Sequence, residues 1–430
     1  MLADILAQLE KQASAGESGV AAAFELNWQS LEPEAQKLAC LLSLFALAPI
    51  PWSLVESAAS YSHLEFDFKA NRTILVERYL LQELAEDTYQ VHERIRELLQ
   101  QKLKDLAEAD EFKRGFCQAM VAVARNIPQT PILIDIAQLT LAIPHIEETA
   151  TVYQTWLSDE NLISPFVGLG RFYEGQGAYE QALPWREQSL SVTKKRFAES
   201  HPDVATSLND LALLYNDLGW YSEVEPLYIQ ALEMYKRLLG DEHLYVASTL
   251  NNLAGLYNDL GIYNKAEPLY IQAFEMYKRL LGDEHLYVAN SLNNLAGLYD
   301  SQRRYSEAEP LYIQALEMYK RLLGDEHLYV ANSLNNLAGL YNSQRRYSEA
   351  EPLCIQALEM KKRLLGNEHP SVANSLNNLA ELYRSQGRYS DAEALYIQAL
   401  AIAEQRLGAN HTRTITYRKN LKELRRNRQP

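Results

Sequence analysis

Apolar positions in the second half of the chain follow a helical spacing nested inside a longer period. Between Ser291 and Asn332, Leu292, Leu295, Ala296 and Tyr299 recur at the spacing of one helix face. A short connection, Arg303-Arg304-Tyr305, leads to a second helix that stops at Leu323-Gly324. The same unit returns every 42 residues: SLNDLALLY from Ser207, TLNNLAGLY from Thr249, SLNNLAGLY from Ser291 and again from Ser333, SLNNLAELY from Ser375. A degenerate copy, PFVGLGRFY, starts at Pro165, and a half-copy, YRKNLKEL, starts at Tyr417. A period of this length predicts a solenoid, in which no unit can bury its apolar face without a neighbour.

Local signals agree with paired antiparallel helices. Gly219, Gly261 and Gly387 occupy the connection site held by Arg303 in the middle copy. Ser306 and Glu309 have capping-box spacing, as do Ser222/Glu225, Ser348/Glu351 and Ser390/Glu393. Pro310 is read into the first turn, where a missing N–H matters least. Ala308 and Ala315 allow close helix approach, and Gly324 after Lys320 and Arg321 marks the stop.

The first 160 residues lack this period. Residues 20–31, 32–47 and 51–60 read as helices, 80–83 and 89–91 as strands around Glu86-Asp87, and 94–104 as another helix. Helices followed by a small hairpin suggest a winged-helix unit. The segment 108–156 reads as three helices broken near Pro128 and Pro144. Leu38 to Val55 carries no charge, yet Pro49 and Pro51 and its length below about 20 residues argue for a buried helix and turn, not a membrane span.

The formal net charge of −15 disfavours nucleic acid as a partner, and the helix at 51–60 carries Glu56 and no Lys or Arg. Cys40, Cys117 and Cys354 are too scattered for a disulfide framework, which fits a reducing cytoplasm. MLADILAQLEKQASAGE has no basic stretch leading into an apolar one, so a signal peptide is not expected.

The pattern N-L-A/G-x-x-Y, G-x-Y-x-x-A, then Tyr and Ala on the second helix resembles the tetratricopeptide repeat. The 42-residue period and the linker Leu365 to Ala373 are similar to the kinesin light chain variety, over about 250 residues. Separately, FELNWQSLEPEAQKLACLLSLFALAPIPWSLV resembles the winged-helix segment of bacterial NB-ARC (STAND-type) ATPases. That family's Met-His-Asp motif places a histidine near a nucleotide phosphate; here the matching residues are Val91, His92 and Glu93. The chain contains no G-x-x-x-x-G-K-[ST] loop, so it looks like the C-terminal portion of such an ATPase. The expected fold is all-α: an N-terminal segment (1–19), a winged-helix-like domain (20–105), a helical linker (106–164), six repeat units (165–416) and a capping helix with a basic tail (417–430).

The strongest candidate site is a stripe of asparagines on the first helices: Asn251, Asn252, Asn293, Asn294, Asn335, Asn336, Asn377 and Asn378, with Asn290, Asn332 and Asn374 one turn earlier. Asparagine is a poor helix former, and its amide offers donors and acceptors to an extended peptide. The resemblance implies that these helices line a concave groove in which asparagines hold peptides. The alternative is a ladder of amides bonded between repeats. His201, His243, His285, His327, His369 and His411 lie one repeat apart, too far for shared metal ligation, and read as linker caps. No metal, cofactor or catalytic constellation is assigned, with His92 the only residue pointing to a nucleotide.

The expected function is a non-catalytic cytoplasmic scaffold that binds a protein or peptide ligand and engages neither nucleic acid nor membrane. The alternative is a sensor portion of a nucleotide-dependent switch, working with a separate NTPase subunit.

Overall fold

The computed structural model describes residues 17–64 and 66–426, so the expected segment 1–19 lies mostly outside it, as does the end of the basic tail. The chain divides into two compact units, Met1–Pro128 with Ala137–Leu169, and Gln129–Ile136 with Gly170–Pro430. No helix among the described residues is long and apolar enough to cross a membrane.

The first unit contains α1 (Glu17–Gln29), α2 (Pro33–Leu42), β1 (Ile50–Pro51), α3 (Trp52–Tyr61), α4 (Phe68–Glu77), β2 (Gln82–Ala85), β3 (Thr88–Gln90), α5 (Glu93–Lys104) and α6 (Ala109–Arg125), followed by α7 (Leu133–Leu139), which crosses the unit boundary, and α8 (Ile143–Thr151). The strands form one antiparallel sheet in the order β1-β3-β2, with Ile50 opposite Tyr89 and a register shift between Glu83 and Ala85. Two elements escape a reading of apolar spacing. β1 is only two residues long, and α4 buries only Asn71 and Leu75, so its amphipathic signal is weak. The helix directly before the hairpin is therefore α4, which carries Lys69 and Arg72, and not the 51–60 helix. Arg72 is committed to Asp87 at 2.9 Å, beneath the faces of Trp52 and Tyr89.

Phe45, Phe112, Phe116 and Leu38 are fully buried in this unit. His145 is buried among them: its Nδ1 accepts from the Ala46 N–H at 3.1 Å, so the ring's proton sits on Nε2 and is donated to the Pro49 carbonyl at 3.1 Å. Burial pushes this imidazole down to about 4.

The second unit is the solenoid. After α9 (Ser164–Glu174), which crosses the unit boundary, and α10 (Tyr179–Phe197), the hairpins are α11/α12 (Pro202–Leu218, Tyr221–Leu239), α13/α14 (Leu244–Asp259, Tyr263–Leu281), α15/α16 (Leu286–Ser301, Tyr305–Leu323), α17/α18 (Leu328–Ser343, Tyr347–Leu365) and α19/α20 (Pro370–Ser385, Tyr389–Arg406). The final helix is α21 (Thr412–Arg426). Ala212, Ala254, Ala296, Ala338 and Ala380 on the first helices are fully buried, as are Ala231, Ala273, Ala315, Ala357 and Ala399 on the second. Small side chains at these contacts let the helices close to the packing distance of about 8–10 Å.

The hairpin turn differs from the expected capping box. Arg303 and Arg345 adopt φ of 61° and 60°, the left-handed position that Gly219, Gly261 and Gly387 fill elsewhere. The Arg304 N–H then bonds the Tyr299 carbonyl at 2.8 Å, and α16 begins at once with Tyr305. Ser306 consequently lies inside the helix, and the N-cap residue, Arg304, makes no side-chain capping bond. Glu309 is released to pair with Arg346 of the next repeat at 2.7 Å, as Glu267 pairs with Arg304 at 2.8 Å. For the same reason Pro310 falls at the sixth residue of its helix, past the first turn. The stop at Gly324 holds, but with φ 84° and ψ 171°, a conformation open essentially to glycine alone.

The α21 arginines pair with the preceding helix, Arg418 with Glu404 and Arg425 with Glu393, each at 2.7 Å, which makes much of the basic tail a paired helix face.

Two outcomes follow. Arg303 is exposed, so Arg303→Gly and Arg345→Gly should each stabilise the solenoid by about 1 kcal/mol through relief of left-handed backbone strain, measurable as a rise in Tm. For His145, an unfolded histidine titrates near 6.5 and the folded one near 4. The unfolded state therefore takes up the proton first, and the contribution present above 6.5 is lost as pH falls toward 4, up to about 3 kcal/mol. His145→Gln, which keeps a donor and an acceptor, should flatten the fall in calorimetric Tm across that window.

Candidate peptide-binding groove

The first helices of successive hairpins touch one another, whereas the second helices are spread apart, so the first helices make the inner wall of the curved stack. The stack coils back on itself: His411 Nε2 meets the Asp217 carbonyl at 2.7 Å although 194 residues separate them.

Helical spacing puts the two asparagines of each pair side by side on this inner wall, and the 42-residue period stacks the pairs in register. The second member of a pair donates to the first member of the preceding pair: Asn252 to Asn209 at 3.2 Å, Asn294 to Asn251 at 3.1 Å, Asn336 to Asn293 at 3.3 Å. Asn420 in α21 continues the rule by donating to Asn377 at 3.0 Å. Asn335, to which Asn378 would donate, instead has a buried Oδ1 with no partner among the described residues. The amides thus form a ladder between repeats. A primary amide has two N–H donors and two acceptor sites, so each rung uses only part of this capacity.

The ladder residues border two hollows. One, of about 530 Å³, is bordered by Asn251, Asn252, Asn293, Asn294 and Asn336. The other, of about 240 Å³, is bordered by Asn251, Asn290, Asn293, Asn294 and Asn332 with Tyr319 and Tyr329. Asn335 and Asn377 are only 4% and 8% exposed, so they serve packing more than access. Asn374, Asn377 and Asn378 extend the stripe beyond both hollows. Asn290 already accepts the Tyr319 hydroxyl at 2.7 Å, while Asn332 is exposed.

The larger hollow has a floor that the apolar pattern did not single out. Tyr228, Tyr270 and Tyr312 line it from the second helices, together with Asp259 and Asp300. Burial raises both carboxyls, Asp300 to about 6. The signal was present in the sequence: Asn216, Asn258, Asp300 and Asn342 occupy one repeat position, and an acid replaces the amide once.

The six linker histidines each cap the helix that follows. Their Nδ1 atoms accept the N–H two residues ahead at 3.0–3.2 Å. His92 does the same for α5, accepting from Arg94 N–H at 3.2 Å. Among the described residues no group of three or more His, Cys, Asp or Glu is placed to hold a metal ion. Tyr287 and Tyr329 stack on Tyr277 and Tyr319 with ring centroids 5.2 and 5.5 Å apart and are partly covered, whereas the third linker tyrosine, Tyr245, is exposed.

Residues 161–237, 245–321, 301–353, 329–405 and 373–428 match the model of the tetratricopeptide repeat. The chain belongs to that family. Tetratricopeptide repeat proteins are generally non-catalytic, and this one is built as an interaction scaffold. Its solved neighbours include BtubC (BKLC) from P. vanneervenii, 28% identical over 53% of this chain and 92% of that one, with a TM-score of 0.42. A putative kinesin light chain from Podosopora anserina, with nearly identical TPR-like repeats, is 28% identical over 48% of this chain and 97% of its own, with a TM-score of 0.37. NprR in complex with its cognate peptide NprX has 16% identity over 78% and 93% of the two chains and a TM-score of 0.50. No curated protein matches the chain.

The ladder makes a prediction of its own. Asn293→Ala removes the acceptor of Asn336 and should destabilise by about 1 kcal/mol, partly offset by the better helix propensity of alanine. Removing both partners should cost less than the sum of the single changes, a coupling that a double-mutant thermal-melt cycle reads directly.

Proposed function

We propose that the inner wall of the tetratricopeptide repeat solenoid binds an extended peptide, or an extended segment of a partner protein, through the unused donors and acceptors of the asparagine ladder. One observation carries the reading: the amides are bonded to one another yet border two adjoining hollows that share Asn251, Asn293 and Asn294. A peptide backbone needs a donor and an acceptor at regular intervals, and a ladder with spare capacity supplies both without reorganising. NprR, with which this chain shares its fold, has been solved with a peptide, so a solenoid of this kind can hold one. Selectivity would come from Tyr228, Tyr270 and Tyr312 at the floor and from Asp259 and Asp300, which favour a ligand bearing donors or positive charge.

The first unit supports a second reading. Its order of helix, strand, two helices and hairpin, with the sheet order β1-β3-β2, supports a winged-helix reading of this unit, and His92 follows the hairpin directly. In that reading the unit works with a separate NTPase subunit and His92 faces its nucleotide. Calorimetry separates the two: the scaffold reading gives no heat with ATP or ADP, whereas binding lost in His92→Ala establishes the switch.

The groove reading is tested with peptides selected from a random display library on the full chain. Asn251→Ala, Asn294→Ala and Asn336→Ala combined should weaken a selected peptide about tenfold or more, with helicity retained. Undiminished binding, or selection of no peptide at all, overturns it.

A further inference from the structure

At one position of the second helices the repeats disagree. α12, α14 and α16 carry Tyr235, Tyr277 and Tyr319 there, whereas α18 carries Lys361. The three tyrosines are buried, and each packs its ring against a tyrosine of the following linker. In the fourth repeat that linker position holds Ser371, so both rings are missing. A cavity of about 240 Å³ lies in their place within the second unit, bordered by Lys361, His369, Ser371, Asn332, Leu328 and Leu365.

Lys361 is only 3% exposed, and its amine makes no hydrogen bond or ion pair with any described residue. Burial, with Arg413 nearby, lowers its ammonium to about 8. His369 is 8% exposed and is lowered to about 4 by burial, then by Lys361, with Arg406 and Arg413 acting in the same direction. Its Nδ1 accepts the Ser371 N–H at 3.0 Å, which leaves the neutral ring's proton on Nε2. That Nε2 is buried and turned toward the Gly175 backbone without forming a hydrogen bond of good geometry. The acids at the cavity's edge are engaged elsewhere: Glu174 holds Arg186 through two bonds of 2.8 and 2.9 Å, and Asp217 faces Arg413 at 3.5 Å. The surroundings therefore oppose a cation at Lys361, and offer an anion both positive neighbours and an unused N–H.

We propose that Lys361 is a site of reversible modification by carbon dioxide, its neutral amine becoming a carbamate that accepts the Nε2–H of His369. The lone pair of Nζ forms a bond to the carbon of carbon dioxide, one carbon–oxygen π pair moves onto oxygen, and the nitrogen releases a proton to solvent. Nothing is oxidised or reduced, and loss of carbon dioxide with return of the proton restores the lysine. The reaction needs the amine uncharged: at about pH 8 roughly half of Lys361 is neutral, against under about 1% of an ordinary lysine. Carbon dioxide is uncharged as well, so it reaches a buried amine without the desolvation that an ionic reagent would meet. Once formed, the carbamate replaces an unpartnered cation by an anion beside His369, Arg406 and Arg413, with Ser371 and Asn332 as further donors at the cavity. Tyrosine at the sister positions cannot undergo this change, which gives the fourth repeat a property that the others lack. The modification does not depend on the groove reading and is tested without a peptide.

The full-length protein is equilibrated with isotopically labelled bicarbonate and carbon dioxide, then treated with a trialkyloxonium salt, which alkylates a carbamate oxygen and fixes the adduct as a stable ester. Mass spectrometry reads the label lysine by lysine. Lys361 should carry at least about tenfold more label than Lys419, whose side chain is 72% exposed. His369→Asn keeps a good helix cap but removes the Nε2 donor, and should lower the label at Lys361 by about fivefold. Carbon dioxide should also raise the Tm above that in chloride buffer of equal pH and ionic strength, and Lys361→Tyr, which restores the sister-repeat residue, should abolish the rise. Label at Lys361 no greater than at Lys419, label undiminished in His369→Asn, or an equal Tm rise in Lys361→Tyr would each overturn the proposal. A Tm rise with no label at Lys361 would trace it to bicarbonate held without a covalent bond, and would overturn it too.

Discussion

Each hairpin of the solenoid can hide its apolar stripe only against the next hairpin, and every other property of the second unit follows from that dependence. Burial of Ala254 against the helices around it, repeated at Ala296, Ala338 and Ala380, fixes the separation of neighbouring hairpins. Fixed separation puts like residues in like places one repeat apart. A residue at one position therefore meets its own counterparts across each interface, and a side chain that can bond to itself gains most from the arrangement. Asparagine is such a residue, carrying donor and acceptor on one short stem. The ladder is the polar counterpart of the alanine contact: both exist because the repeat is translated rigidly.

This translation also explains what was legible in the sequence. Helix spacing, hairpin order and the histidine caps depend on residues near one another in the chain, and all three are visible in a single copy. The ladder was visible as one of two alternatives, because a stripe of amides has the same sequence whether it bonds to itself or to a ligand. The structure shows the ladder: the rungs join one repeat to the next, and each consumes only part of an amide's capacity. The failed capping box shows the limit. Ser306 and Glu309 have the correct spacing, but Glu309 has a stronger partner in Arg346, 37 residues away, which no local rule can see. Arg303 in a left-handed turn removed the remaining reason for a serine cap, because the helix was already nucleated by the preceding carbonyl. In the first unit the same logic hid α4, whose two buried residues give too little periodicity to register.

Near-identity of the repeats carries less information than their departures from it. Four copies that agree, such as those giving Asn252, Asn294, Asn336 and Asn378, report shared packing as readily as shared function. A departure that packing would favour reports nothing further. A departure that packing opposes is different, because something outside the fold has to compensate it. Asp300 in place of an asparagine on the floor of the larger hollow is one such change, since burial drives its carboxyl up to about 6. Lys361 in place of a stacked tyrosine is a larger one.

These two departures lie on opposite sides of the shared asparagine hollow and carry opposite charge. Asp300 borders the large hollow, Lys361 the cavity beyond Asn332, and the amides between them are neutral. A neutral track of donors and acceptors gives an extended chain no preferred direction, because the backbone presents the same groups either way round. Charged residues at two places beside the track supply what it lacks, a difference between one end and the other. The repeated part of the solenoid is thus uniform along its length, and the two positions at which repetition fails make it asymmetric.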